Sequence, residues 1–79
     1  MNAQEQRQDE QLNAIGWELS ERYLAGTLDF EAFQSLFYRA LAICGPGDEM
    51  EMFCHYARGE GWFAWMTREI QQASSKHVA

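Results

Sequence analysis

Residues 23–33 read "YLAGTLDFEAF", and this stretch decides the fold. Gly26 sits where a helix needs a left-handed cap, a conformation that costs glycine nothing. Asp29 suits the N-cap of the next helix, because its carboxylate can accept from backbone N–H groups left free in the first turn. Leu28 before it and Phe33 four positions after it are placed as the two halves of a hydrophobic staple. One helix therefore ends and another begins within a few residues, which predicts an antiparallel hairpin.

Working outward, the first helix is expected over about residues 4–25. Leu12, Ile15, Leu19 and Tyr23 form one apolar stripe. Trp17 and Leu24, seven positions apart, form a second strip well away from it. The polar opening, "MNAQEQRQDEQ", has nothing to bury, so residues 1–8 are expected to fray. Helix two is expected over about 30–44, with Phe30, Phe33, Leu36, Phe37, Ala40, Leu41, Ile43 and Cys44 as a wide apolar face. The hairpin segment resembles the helix-turn-helix hairpins of many small bacterial domains, short C-terminal oligomerisation modules among them. That resemblance covers roughly 20 residues, mostly capping chemistry, and implies no particular function.

Gly45-Pro46-Gly47 ends helix two, since Pro46 cannot continue a helical ladder. Asp48 is placed to cap helix three, with Glu51 at the capping-box position. Met50, Phe53, Cys54 and Ala57 should face inward, and the helix should end near Arg58-Gly59. Helix four is expected from Gly61 or Trp62 to about Ala73, followed by a loose tail over 74–79. Nothing alternates with period two. The expectation is an all-α, single-domain bundle of about four helices over residues 9–73, built from a long hairpin and two shorter helices.

Charge and composition narrow the function classes. Twelve acidic residues oppose six basic ones, for a formal charge of -6. The basic residues, at 7, 22, 39, 58, 68 and 76, never cluster. Binding to nucleic acid or to an anionic membrane is disfavoured, because both need grouped Lys and Arg. No apolar run approaches the roughly 18 residues of a membrane span. Cys44 and Cys54 do not make a disulfide framework, and no signal-peptide pattern opens the chain. A cytoplasmic protein with reduced thiols is expected.

No catalytic, metal or cofactor site is expected. Cys54 and His55 are helical neighbours pointing about 100° apart, so they cannot pair as nucleophile and base. Cys44, Cys54, His55 and Glu51 lack the spacing of a metal set, and His77 stands alone near the end. Asp48, Glu49 and Glu51 read as helix-start charges or as a docking patch for a basic surface, not as a calcium loop. Gly45-Pro46-Gly47 lacks the Lys, the Ser or Thr and the preceding strand of a phosphate loop.

What remains is a surplus of apolar side chains. On helix four, Trp65, Trp62, Met66 and Phe63 span an arc of about 160°, wider than a peripheral helix needs. Either helix four is a core helix between two neighbours with all of these rings buried, or one edge, Trp65 with Trp62 beside it or the separate Trp17–Leu24 strip, is left at the surface. Asp48, Glu49 and Glu51 would add charge attraction. These residues predict a non-enzymatic adaptor, regulator or inhibitor docking on a larger protein. In size and charge it is similar to phage- and plasmid-borne inhibitors of host nucleic-acid machinery, anti-CRISPR proteins among them. The alternative is a self-assembling module that uses the same surface as a homodimer interface.

Overall fold

The structure, a computed structural model, describes the backbone of residues 3–77; the side chains of residues 3–5, 48, 76 and 77 lie outside the described set. Helix α1 runs Ala3–Ala25, α2 Phe30–Cys44, α3 Glu51–Glu60 and α4 Phe63–His77. A short 3-10 turn, Asp48–Met50, precedes α3. No strand occurs among the described residues, so the all-α class expected from the sequence is the class observed. The chain divides into two compact units, Met1–Cys44 and Gly45–Ala79, at the Gly45-Pro46-Gly47 break.

The first unit is the predicted hairpin. Gly26 takes φ 73°, the left-handed value, and closes α1. Its N–H donates to the Tyr23 carbonyl at 3.1 Å, and the Thr27 N–H donates to Arg22 at 2.9 Å. Those two bonds are the Schellman pattern, which satisfies carbonyls that the helix end would leave open. Asp29 then caps α2: its Oδ1 accepts from the Ala32 N–H at 2.8 Å. Its own carbonyl accepts from the Phe33 N–H at 3.0 Å, the first turn of the new helix. Asp29→Ala is expected to destabilise the fold by about 1 kcal/mol. Urea unfolding should show a lower midpoint at unchanged slope, and an unmoved midpoint would remove the cap from this account.

Between the helices, Leu12, Ile15 and Leu19 of α1 and Phe33, Leu36, Phe37 and Ala40 of α2 are buried. The α2 set recurs at i, i+3, i+4 and i+7, one face of a helix. Each fully buried side chain of this size contributes about 1.5–3 kcal/mol. Phe33 and Phe37 stack with centroids 6.2 Å apart. Tyr23, expected in the buried stripe, is 38% exposed. It sits in the last turn of α1 beside the exposed Leu24, Ala25 and Gly26, where the hairpin opens into its turn. Across the hairpin, Glu18 meets Arg39 at 3.6 Å, and within α1 it meets Arg22, four residues on, at 3.8 Å. All three side chains are about half exposed, so these pairs contribute little.

The second unit departs from expectation at both ends. Asp48 begins a 3-10 turn, and α3 starts at Glu51 with Met50 as its N-cap residue, at φ -81° and ψ 4° and without a side-chain capping bond. Glu51 is thus the first residue of α3 rather than the third, and the Asp48 side chain that a capping box needs lies outside the described residues. The register follows Met50, which is 1% exposed and held inside. Gly61 ends α3 with φ 81°. The Trp62 N–H donates to Ala57 at 2.6 Å and the Gly61 N–H to Arg58 at 3.4 Å, a second Schellman closure.

Trp62 precedes α4 and its carbonyl accepts from the Met66 N–H at 3.0 Å, the role of an N-cap residue. The tail expected to be loose from residue 74 is helical as far as His77. Ser74, Ser75, Lys76 and His77 include no glycine or proline to stop it. Residues 3–8, within the stretch expected to fray, belong to α1, and Gln6 to Gln8 are exposed. Met50, Phe53, Ala57 and Met66 are the buried side chains of this unit.

Candidate functional site

The side chains most exposed for their apolar size lie on the hairpin. Trp17 is 70% exposed and Leu24 81%. At about 100° per residue, seven residues return nearly to the same meridian, so the two share one face of α1. Leu12, Ile15 and Leu19 occupy the opposite side and fix the rotation of the helix by being buried. Glu18, which points toward Arg39 across the hairpin, lies about 100° round from Trp17. The strip therefore faces away from both the core and that ion pair.

Glu10, Asn13 and Glu21 are exposed on this same face. Tyr38 of α2, which the sequence did not single out, is 46% exposed. Its ring edge packs on Phe37, with centroids 5.6 Å apart. Its spacing from Phe37 placed it off the core stripe, and that was the available signal.

On helix α4 and at its N-cap the large rings are more covered than Trp17 is on the hairpin. Trp62 and Trp65 are half-buried, and each is engaged in an interaction of its own. Of the two candidates for surplus apolar surface, Trp65 and the Trp17–Leu24 strip, the strip is the more exposed. Phe63 is covered on one face by the Arg58 guanidinium, 4.5 Å from the ring centroid. That contact joins the end of α3 to the start of α4 and occupies a cation that also suits the α3 C-terminus.

Glu49 and Glu51 are exposed at the start of α3; the Asp48 side chain lies outside the described residues. Trp62 follows the far end of α3, so a rise of about 1.5 Å per residue separates it from Glu51 by roughly 15 Å along the axis.

Cys54 is half-buried, while His55 is exposed with its ring edge-on to Tyr56 at 5.2 Å. Among the described residues, no three His, Cys, Asp or Glu side chains gather as a metal site requires. One shallow depression of about 410 Å³ lies between α1 and α2, lined by Gln11, Ala14, Ile15, Arg39, Ala42 and Ile43. It holds a single charged group and no nucleophile. Another, of about 500 Å³, lies along α4 beside Arg68, Gln71, Gln72 and Ser75. No described helix is long and apolar enough to cross a membrane. No protein family, curated protein or solved structure matches this chain.

Proposed function

We propose that the chain is a non-enzymatic, acidic helical interaction protein: an adaptor, regulator or inhibitor that docks on a larger protein. The observation that carries the reading is the exposure of Trp17 and Leu24 on one face of a helix whose other face buries Leu12, Ile15 and Leu19. An exposed tryptophan costs nothing to the fold when removed, yet tryptophan is among the side chains most favoured at the centre of protein interfaces. The formal charge of -6 directs such a surface toward proteins rather than toward nucleic acid.

A photo-crosslinking phenylalanine analogue at position 17 or 24, in cells that make the protein, tests this. Covalent adducts to another protein are expected at both positions and not at the exposed Ser35 on α2. Equal adducts at all three positions would sink the reading, and adducts between copies of this chain would replace it with self-assembly. In parallel, Trp17→Ala should weaken partner binding about thirtyfold, the cost of an interface tryptophan. Its melting temperature should fall by less than about 3 °C, as for a surface substitution.

A further inference from the structure

The surroundings of the Trp17–Leu24 strip say what kind of partner covers it. Glu10, Asn13, Trp17, Glu21 and Leu24 line one face of α1 over about 21 Å, four turns of helix. Glu10 and Glu21 flank the apolar pair, and both are exposed. No cation shares the face. Arg7 lies about 90° round the helix and Arg22 about 150°, where it meets Glu18.

A second copy fits this surface poorly for two independent reasons. Trp17 and Leu24 together offer on the order of 300 Å² of apolar surface. A stable interface needs about 800 Å² from each partner. A two-fold pairing centred between Trp17 and Leu24 would also set Glu21 against Glu21. A parallel pairing would add Glu10 against Glu10. Like charges facing one another across an interface are unfavourable. The charge conflict is removed by a partner that supplies cations, and its contacts to Glu10 and Glu21 widen the interface beyond the apolar pair, which a second copy of the same face cannot do.

We infer that the strip receives a basic amphipathic helix of another protein. Its apolar residues pack on Trp17 and Leu24, and its Lys or Arg side chains flank them and face Glu10 and Glu21. Flanking charges select the partner of an apolar helical seam in the same way in coiled coils. The inference rests on the proposed role in protein binding and adds the chemistry of the partner.

The probe is a synthetic amphipathic helix of leucine and lysine, about 14 residues long to match the strip. Titration calorimetry and amide NMR at about 50 mM salt should show micromolar binding, with shifts confined to residues 10–24. Leu24→Ser, and separately Glu10→Lys with Glu21→Lys, should each weaken binding at least about tenfold. Glu31→Lys with Glu60→Lys changes the net charge equally but off the strip, and should weaken it less than about threefold. Equal losses in the two charge-reversed pairs, shifts elsewhere, or no binding would overturn the inference.

Sedimentation of the protein alone separates this failure from failure of the broader reading. Self-association that Leu24→Ser abolishes keeps the strip as a binding surface but removes the basic occupant. Crosslinks from position 17 to a partner that persist although the peptide does not bind would do the same.

Discussion

Phe37→Ala is expected to lower stability by about 3–5 kcal/mol, the range for emptying a buried phenylalanine site. The ring is fully buried and stacked on Phe33, with Tyr38 edge-on to it. Its removal forfeits burial and leaves a void that rigid helix backbones refill only in part. In a domain this small, 1 kcal/mol moves the melting temperature by about 4–8 °C. The variant should therefore melt at least about 12 °C lower, or be partly unfolded at room temperature, because domains hold only about 5–15 kcal/mol in total. Circular dichroism melts read this directly. A shift below about 4 °C would mean that Phe37 is not in a packed core, and the description of the hairpin would fail with it.

The hairpin was legible because the signals that build it are local. Gly26 closes α1 through its own backbone, and Asp29 caps α2 three residues away. The α2 face at Phe33, Leu36, Phe37 and Ala40 needs only a period of 3.6 to be recognised. The start of α3 was not legible, since spacing alone does not distinguish a helix that begins after Asp48 from a 3-10 turn, Asp48–Met50, that carries Met50 into the core before α3 begins.

Exposure is a tertiary property, and the sequence located it only in part. A helical wheel gives the angle of a side chain on its own helix and says nothing of what lies over it. The arc of helix four is wide enough either to bury Trp65 between two neighbours or to leave it over, and its spacing gives no reason to start the helix after Trp62. The structure makes Trp62 the N-cap residue of α4 and leaves both rings half-buried. Trp17 and Leu24 were legible as a second strip for a simpler reason. The opposite face of α1 carries its own complete stripe, so a core that claims Leu12, Ile15 and Leu19 must leave them outside.

That reasoning makes its sharpest demand on two leucines of the same helix. Leu19 is fully buried and Leu24 is 81% exposed, five positions on. Leu19→Asp is expected to abolish folding. The change removes a core side chain, at about 2–5 kcal/mol. It also places an unpaired carboxylate where water cannot reach it, which the protein can relieve only by protonating the group or opening the helix. The combined loss exceeds about 5 kcal/mol and competes with the whole stability of a small domain.

Leu24→Asp adds the same carboxylate in solvent. Its cost is limited to placing a negative charge in the last turn of α1, where the helix dipole disfavours it by about 0.3–1 kcal/mol. Far-ultraviolet circular dichroism should therefore show an unfolded chain for the first variant and a native one for the second, melting within about 8 °C of the parent. If both variants unfold, Leu24 is packed and the Trp17–Leu24 strip is not a free surface. If both fold, the rotation of α1 is wrong, and the buried stripe and the binding strip exchange places.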